Sequence, residues 1–211
     1  IVGEAILKAY EAKGWSVHDS RNCLFDDPDN GPFAPGSNAW PTFSDLIAQL
    51  RGVIQSKGMG KEFEEKYEGS LVARLSDLTL GVKGIMLNTP RSMNFDDLLN
   101  RRVVFELDEI RDGQDKALLM GLILGRVTEC VRLRHAQNPG FRHLTLVEEA
   151  HRLLSRPEPG EGGARKLGVE MFANLLAEVR KYGEGLIIAD QIPNKLVPDV
   201  IKNTNTKIVH R

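Results

Sequence analysis

The sequence has 211 residues, of which 41% are hydrophobic and 27% are charged, and its formal net charge is −1. This composition is ordinary for a globular protein, and the length allows one large domain or a core with a smaller subdomain. The near-neutral charge excludes a basic footprint over the whole surface, so any contact with nucleic acid has to come from local loops or an assembled ring.

Cysteine usage and apolar runs indicate the cellular compartment. Cys23 and Cys130 lie far apart without CxxC spacing, which fits a reducing cytosol and argues against a disulfide or zinc framework. The longest apolar cluster, residues 118–124, is far shorter than a membrane span, and no signal peptide is visible. We therefore expect a cytoplasmic protein. The sequence starts at Ile1, inside a helical pattern and without methionine, so we expect a piece of a larger protein.

The first part of the chain is predicted to be helical. Apolar residues at helical spacing predict a helix from Ile1 that stops at Gly14, and a turn-rich loop follows over residues 22–40. Thr42 and Asp45 resemble a capping box that starts a second helix. The helical period then continues over residues 61–80, although a glycine at position 69 is expected to interrupt it.

The second part alternates strand and helix, which is typical of parallel βαβ units and predicts an α/β fold. The strand patterns cover residues 102–107, 144–147, 186–189 and 206–210. Between them we predict a helix over residues 115–134 that is packed on both sides, a flexible loop over residues 155–163, a helix closed by Gly183, and a short helix after Pro193. The helix closed by Gly183 carries an apolar stripe: Leu167, Met171, Phe172, Leu175, Leu176 and Val179.

Two adjacent carboxylates, Glu148 and Glu149, follow the strand predicted at residues 144–147. Parallel strands are buried on both faces, and ligands collect outside their carboxyl ends. Burying two carboxylates side by side is costly unless a cation or strong donors lie nearby, and a magnesium ion would remove that cost. A simpler alternative has equal weight on this pair alone: a strand followed by a helix, whose dipole the glutamates complement.

Two further polar residues extend the candidate site. Gln191 ends the next strand, and Arg180 lies on the helix between the two strands. Phosphoryl transfer needs a carboxylate that holds magnesium waters, a polar group that orients the attacking water, and a cation for the developing charge. The sequence supplies one of each. Taken singly, however, a cation in the last turn of a helix and a polar residue at a strand end are common in any protein.

The order and spacing of three segments are more specific. LTLVEEAHRLL, AEVRKYGEGLIIADQIP and VIKNTNTKIVHR resemble the downstream motifs of the HerA/FtsK superfamily of P-loop ATPases, close to its HerA and type IV secretion ATPase branches. The resemblance covers residues 102–211 and extends more loosely to residues 76–89 and the helical insert before them. It implies a RecA-like, mostly parallel sheet flanked by helices, with residues 1–85 as a helical subdomain and residues 86–211 as the C-terminal part of the ATPase core.

The resemblance also implies a role for each matching residue. Glu148 takes the position of the Walker B acid, usually Asp, which supports Mg²⁺ through water, and Glu149 that of the catalytic glutamate that polarises the attacking water. Gln191 matches the polar sensor on the neighbouring strand. Arg180 matches the arginine that is inserted into the neighbouring subunit's site, and Arg211 is a rival for that role.

Asp190 and His151 lie close to these residues in the sequence. Asp190 stands where the family often has Ser or Thr before the sensor. His151 accompanies the glutamates in the family, and we interpret it as a helix residue that orients them.

No P-loop motif GxxxxGK[ST] is found in the sequence. The nearest imitation is Gly58-Met59-Gly60-Lys61, but Gln55 stands where the first glycine is needed and Glu62 where the hydroxyl is needed. In the family the P-loop lies upstream of the helical insert, so it would precede Ile1. We therefore expect this fragment neither to bind ATP tightly nor to hydrolyse it alone.

The resemblance implies a ring-forming motor, in our interpretation a hexamer, that uses ATP and Mg²⁺ to translocate DNA. One alternative is an ATPase that powers macromolecular secretion or conjugation with membrane-associated partners, and another is an inactive scaffold or binding module of the same fold. A metalloenzyme is disfavoured because His135, His143 and His151 lack ligand spacing. A generic Rossmann enzyme is disfavoured because no GxGxxG follows a strand.

Overall fold

A computed structural model describes residues 1–25, 31–34, 36–155, 169, 173 and 178–210. The chain divides into two compact units, Ile1–Met93 and Asn94–Arg211. The boundary predicted between residues 85 and 86 would cut through a helix, Gly81–Leu87, that lies wholly in the first unit.

The first unit is built from helices in its described part. They are α1 (Val2–Ala12), α2 (Phe43–Ser56), α3 (Lys61–Tyr67), a π-helical turn (Glu68–Val72), α4 (Ala73–Asp77) and α5 (Gly81–Leu87). Their apolar stripes bury one core, formed by Ala5, Ile47, Leu50, Val53, Ile54 and Val72. The predicted helical character of this part is confirmed.

Local sequence explains where these helices start and continue. The Thr42 hydroxyl accepts the N–H of Asp45, and the Asp45 carboxylate accepts the N–H of Thr42, which confirms the predicted capping box of α2. Gly69 interrupts the next α-helix, as expected, because α3 ends at Tyr67 and α4 starts only at Ala73. It lies in the π-helical turn that joins α3 to α4, where the wider turn keeps the backbone helical.

The turn-rich segment at residues 22–40 contains no helix or extended strand among its described residues. Two indole N–H groups hold it in place: Trp15 Nε1 donates to Ala39 O at 2.6 Å, and Trp40 Nε1 donates to Pro32 O at 3.1 Å. The rings of Trp15 and Trp40 also pack together, with centroids 4.7 Å apart.

The second unit combines helices with a small parallel sheet. Its elements are α6 (Phe95–Leu98), α7 (Gly113–Gln137), β1 (His143–Glu148), α8 (His151–Leu154), a 3-10 turn (Val179–Tyr182), β2 (Glu184–Ala189), a second 3-10 turn (Pro193–Lys195) and α9 (Pro198–Asn203). β1 and β2 pair in parallel, from His143 opposite Glu184 to Glu148 opposite Ala189. The predicted α/β fold is confirmed.

One face of this sheet is buried and the other is not. Val147 packs in a core with Leu124 of α7, Leu154 of α8 and Val200 of α9. Leu144 and Leu146, which point the other way, are 61% and 56% exposed. The expectation of a strand buried on both faces is therefore wrong for β1, because the described part of the chain supplies a packing layer on one side.

Two of the predicted strands are not observed. Residues 102–107 and 206–210 form no strand, and Val104 is 82% exposed and Ile208 91% exposed. Strand propensity favours an extended backbone, but a strand also needs a neighbour that accepts and donates its hydrogen bonds. No described residue provides one for either segment. The loop predicted at residues 155–163 and most of the stripe from Leu167 to Leu176 lie outside the described residues.

α7 is packed over much of its circumference but has an exposed stripe. Leu119, Leu124 and Val131 are buried, whereas Leu118 and Leu122 are exposed. The helix starts after Asp112, whose carboxylate accepts the N–H groups of the first turn. Neither α7 nor any other helix in the described ranges is long and apolar enough to cross a bilayer.

Candidate functional site

The parallel pairing brings three of the predicted site residues to one edge of the sheet. Because Glu148 lies opposite Ala189, the residues that follow, Glu149 and Asp190, leave the sheet side by side, and Gln191 comes next. Glu148, Glu149 and Gln191 are all exposed. The expected cost of burying two carboxylates is therefore absent, and no cation is required to offset it.

Glu149 has an unusual backbone conformation. Its φ is +48°, in the left-handed region that side chains other than glycine rarely adopt. The residue forms the tight turn between β1 and α8, where Arg152 N donates to Glu149 O at 2.9 Å and Ala150 is fully buried. Strained residues of this kind are concentrated at functional sites, so the strain adds weight to this turn as a site.

Positive charge surrounds the Glu149 carboxylate. Arg152 Nε donates to Glu149 Oε2, and this hydrogen bond, with the charge of the guanidinium, holds the pKa of the Glu149 carboxyl below its ordinary value. His151 and Lys116 lower the pKa of Glu149 further through their charge. Sequence reasoning missed Lys116, because it lies on α7, 149 − 116 = 33 residues away, and only the packing brings it near.

A buried carboxylate, Asp190, joins the two strand ends. Its side chain is 3% exposed. Asp190 Oδ2 accepts from the backbone N of His151 at 2.7 Å and from His151 Nδ1 at 3.0 Å, and Oδ1 accepts from the N of Ile192 at 2.7 Å. Burial acts to raise the pKa of Asp190, but the N–H groups of Ile192 and His151 and the His151 ring outweigh it and hold that pKa below its usual range.

The same contacts test the alternative in which Glu148 and Glu149 only complement the dipole of the helix that follows β1. α8 begins at His151 and has four residues, so the helix dipole available to a preceding acid is small. Moreover, the N–H of His151 at the start of α8 is bonded to Asp190, and Glu149 is bonded to Arg152. Neither glutamate caps the helix, so capping does not account for the pair.

Arg180 lies at the other end of β2. It belongs to the 3-10 turn Val179–Tyr182, is itself exposed, and donates from Nη1 to Asn205 Oδ1 at 3.4 Å. The six residues of β2 separate this turn from Gln191, a span of about 20 Å. The structure therefore does not bring Arg180 to Glu149 of the same chain. Arg211, the rival candidate, lies outside the described residues.

The donors for a metal ion are few. Within the described ranges no three His, Cys, Asp or Glu side chains are grouped as metal ligands, and His143 is instead bonded to Glu184, with Nδ1 2.8 Å from Oε2. The metalloenzyme alternative therefore gains no support from this part of the chain. One exposed carboxylate such as Glu148 fits Mg²⁺ that is held largely by water and substrate phosphates, because that ion needs only one or two protein carboxylates.

The structure also bears on the imitation P-loop. Residues 58–60 lie between α2 and α3, Lys61 is the first residue of α3, and no strand precedes them among the described residues of the first unit. A phosphate-binding P-loop links a strand to a helix. The rejection of Gly58-Met59-Gly60-Lys61 as a P-loop therefore agrees with its place in the fold.

No family model matches the chain. A stretch of 68 residues is 37% identical to the DNA double-strand break repair helicase HerA of Pyrococcus furiosus, and this stretch represents 32% of the chain and 11% of HerA. The fold is similar to the structure of VirB4 of Thermoanaerobacter pseudethanolicus, with a TM-score of 0.61 and 16% identity. The resemblance to the HerA and type IV secretion ATPase branch is confirmed.

The two matches differ in what they cover. The fold match includes 96% of this chain and 46% of the VirB4 chain, and at 16% identity it shows the fold alone. The chain thus spans about half of the VirB4 chain, and its matching stretch is a small part of HerA. The predicted RecA-like fold is confirmed by the VirB4 match.

Proposed function

We propose that this chain is the C-terminal part of a ring-forming motor ATPase, a hexamer, that couples ATP hydrolysis to the translocation of DNA. The observation that carries the proposal is the shared edge of β1 and β2, where Glu148, Glu149 and Gln191 emerge from adjacent strand ends. Ligands of parallel α/β sheets bind at this edge. The similarity to a DNA repair helicase supports DNA as the polymer.

Each residue at this edge has a role in the proposal. Glu149 polarises the attacking water, which an ionised carboxylate does by accepting a hydrogen bond from it. Gln191 orients the same water. Glu148 holds Mg²⁺ through water, and the ion, when bound with ATP, neutralises charge on the phosphate oxygens.

Arg180 acts in trans in this proposal. Its place at the far end of β2 prevents it from serving the Glu149 edge of its own chain, but leaves it exposed for a neighbouring subunit. An arginine supplied across a subunit interface stabilises the charge that develops during phosphoryl transfer. The proposed ring thereby completes each site with a residue from the next subunit.

Two alternatives are distinguished by simple observations. If the motor serves secretion or conjugation through membrane-associated partners, its ATP turnover should respond to those partners and not to DNA; the VirB4-like fold is compatible with this alternative. If the chain is an inactive scaffold or binding module, the intact protein should lack the P-loop lysine.

The first experiment measures ATP turnover of the intact protein, in which this chain is preceded by a P-loop segment. Glu149→Gln removes the proton acceptor without changing size, so we expect kcat to fall on the order of 100-fold or more. Glu129→Gln makes the same change on the exposed face of α7 and should leave turnover unaltered. Equal turnover in the Glu149→Gln variant and the wild type would refute the catalytic role.

The second experiment tests Arg180 in trans. Subunits with Arg180→Ala are mixed with subunits whose P-loop lysine is substituted, and each population alone should be inactive. Mixed rings should regain part of the ATPase activity, because some sites then pair an intact P-loop with an intact Arg180. Arg126→Ala, which removes another exposed arginine, should leave activity unchanged on its own. Failure of the mixture to recover contradicts the assignment in trans.

A further inference from the structure

Asp190 is a buried carboxylate that bridges two turns at the strand ends. Its two carboxylate oxygens accept from the backbone of His151, the ring of His151 and the backbone of Ile192. His151 starts α8 immediately after the Glu149 turn, and Ile192 directly follows Gln191. One buried side chain therefore connects the turn that carries Glu149 to the turn that carries Gln191.

These contacts also determine where the His151 proton lies. An ionised carboxylate only accepts hydrogen bonds, so the ring nitrogen that faces Asp190 has to carry a hydrogen. That nitrogen is Nδ1, 3.0 Å from Oδ2 and 3.2 Å from Oδ1. In the neutral ring Nε2 is then the acceptor, and the structure gives it no hydrogen-bond partner among the described residues.

We propose that Asp190 is a positioning residue that acts through His151. It fixes the Glu149 turn to the Gln191 turn and holds the His151 ring with its proton on Nδ1. The catalytic consequence rests on the proposed ATPase function, whereas the tautomer and the hydrogen bonds do not. A carboxylate that accepts the ring N–H of a histidine fixes the tautomer and the orientation of that ring, and at metal sites loss of such a partner lowers affinity or activity on the order of 10- to 100-fold.

The left-handed backbone of Glu149 makes this support necessary. A residue held at φ +48° relaxes unless the surrounding contacts keep it in place. The bond from His151 N to Asp190 fixes the backbone two residues after Glu149, and the buried Ala150 lies between them. Without Asp190 the Glu149 carboxylate would lose its fixed direction relative to Gln191.

Asp190→Asn is the informative variant because it keeps the size of the side chain. Its amide nitrogen donates, so one half of the side chain can no longer accept from His151 or Ile192. With its oxygen toward His151 the amide keeps both bonds to His151 and turns its nitrogen against the N–H of Ile192, so Asp190→Asn breaks the link to the Gln191 turn. Asp190→Leu removes every acceptor and frees the His151 ring. Asp199→Asn, at an exposed position in α9, is the matched control.

The first test records the ring nitrogen shifts of His151 by NMR in the 211-residue chain. We expect the Nδ1-protonated tautomer in the wild type and in Asp199→Asn, and a shift towards the Nε2-protonated tautomer in Asp190→Leu, which has no acceptor for the ring. An Nε2-protonated wild type, or identical spectra for the wild type and Asp190→Leu, would overturn the proposal whether or not the protein is an ATPase.

The second test measures ATP turnover of the intact protein. Asp190→Asn should lower kcat on the order of 10-fold with little change in KM for ATP, because it disturbs the alignment of the reacting groups and not the binding of nucleotide. His151→Ala should have a similar effect. His151→Asn, whose amide nitrogen can replace Nδ1 as the donor to Asp190, should restore most of the lost kcat.

The outcomes separate this proposal from the one on which it rests. If Glu149→Gln abolishes turnover while Asp190→Asn leaves kcat unchanged, the positioning role is wrong and the ATPase assignment stands. If His151→Asn is no better than His151→Ala, the contact with Asp190 is not what the histidine contributes, and the proposal is again overturned. If the wild-type protein has no ATPase activity, the proposed function fails and the catalytic consequence fails with it.

Discussion

Gly183 lies where the structure leaves no room for a side chain, and Gly183→Ala is the sharpest test of the second unit. The residue has φ +78° and links the 3-10 turn of Arg180 to β2. A Cβ atom would lie 2.2 Å from Phe141 O and 3.1 Å from Arg142 Nη1. The arginine can rotate away, but the Phe141 carbonyl belongs to the backbone that leads into β1. Because Gly183 O also accepts the N–H of His143 at 3.1 Å, relief of the clash disturbs the start of the sheet.

The expected magnitude follows from two effects. Left-handed backbone costs an L-residue about 1–2 kcal/mol, and forcing an atom into occupied space costs about 1–3 kcal/mol. Alanine also restricts the unfolded chain, which offsets about 0.4–1 kcal/mol. We therefore expect Gly183→Ala to lower the free energy of unfolding of this unit by about 2–4 kcal/mol, a large share of the roughly 5–15 kcal/mol typical of a domain.

The control is Gly125→Ala in α7. A Cβ at Gly125 meets nothing within 4 Å, and the residue lies in the helix interior. Alanine there should raise the free energy of unfolding by about 1 kcal/mol, since glycine is the poorer helix former. The two substitutions are chemically identical and are predicted to have opposite signs.

The assay has to report on the second unit. Trp15 and Trp40 both lie in the first unit, so tryptophan fluorescence follows that unit and should be unchanged by Gly183→Ala. Hydrogen exchange of the β1 and β2 amides, with urea denaturation monitored by circular dichroism, follows the second unit. A loss below about 1 kcal/mol at Gly183 would refute the close approach to Phe141 O, because the left-handed backbone alone then explains it.

Two further predictions concern the strand ends. Glu149→Gly should protect the β1 and β2 amides from exchange more than Glu149→Ala, by about 2- to 5-fold, because glycine accepts φ +48° without strain. Arg152 forms the same ion pair but has a helical backbone, so there the alanine variant should protect these amides more than the glycine variant. Higher protection in Glu149→Ala than in Glu149→Gly would contradict the left-handed backbone at Glu149. Asp190 has a lowered pKa in the folded state, so its contribution to stability is fully present above the pKa of the unfolded chain and is lost as the pH falls through the folded value. The difference in unfolding free energy between the wild type and Asp190→Asn should therefore shrink below about pH 5 in urea titrations, and a difference that grows on acidification would reverse the sign of the shift.

Local rules predicted much of the secondary structure. The capping box at Thr42, the strands around Val147 and Leu186, and the turn at Gly183 depend on spacing and on residue type, which act over a few residues. The same rules also predicted strands at residues 102–107 and 206–210 that the structure does not contain. Strand formation depends on a pairing neighbour, and sequence pattern does not reveal whether one is within reach.

The sequence by itself determined that Glu148, Glu149 and Gln191 follow parallel strands, because alternating strand and helix patterns make their carboxyl ends coincide. Only the tertiary structure decided how these residues are held. The exposure of both glutamates, the left-handed turn at Glu149 and the charge of Lys116 near it are consequences of packing. So is the pairing of Asp190 with His151, 190 − 151 = 39 residues apart, because a hydrogen bond depends on distances that the fold creates and that residue order does not encode.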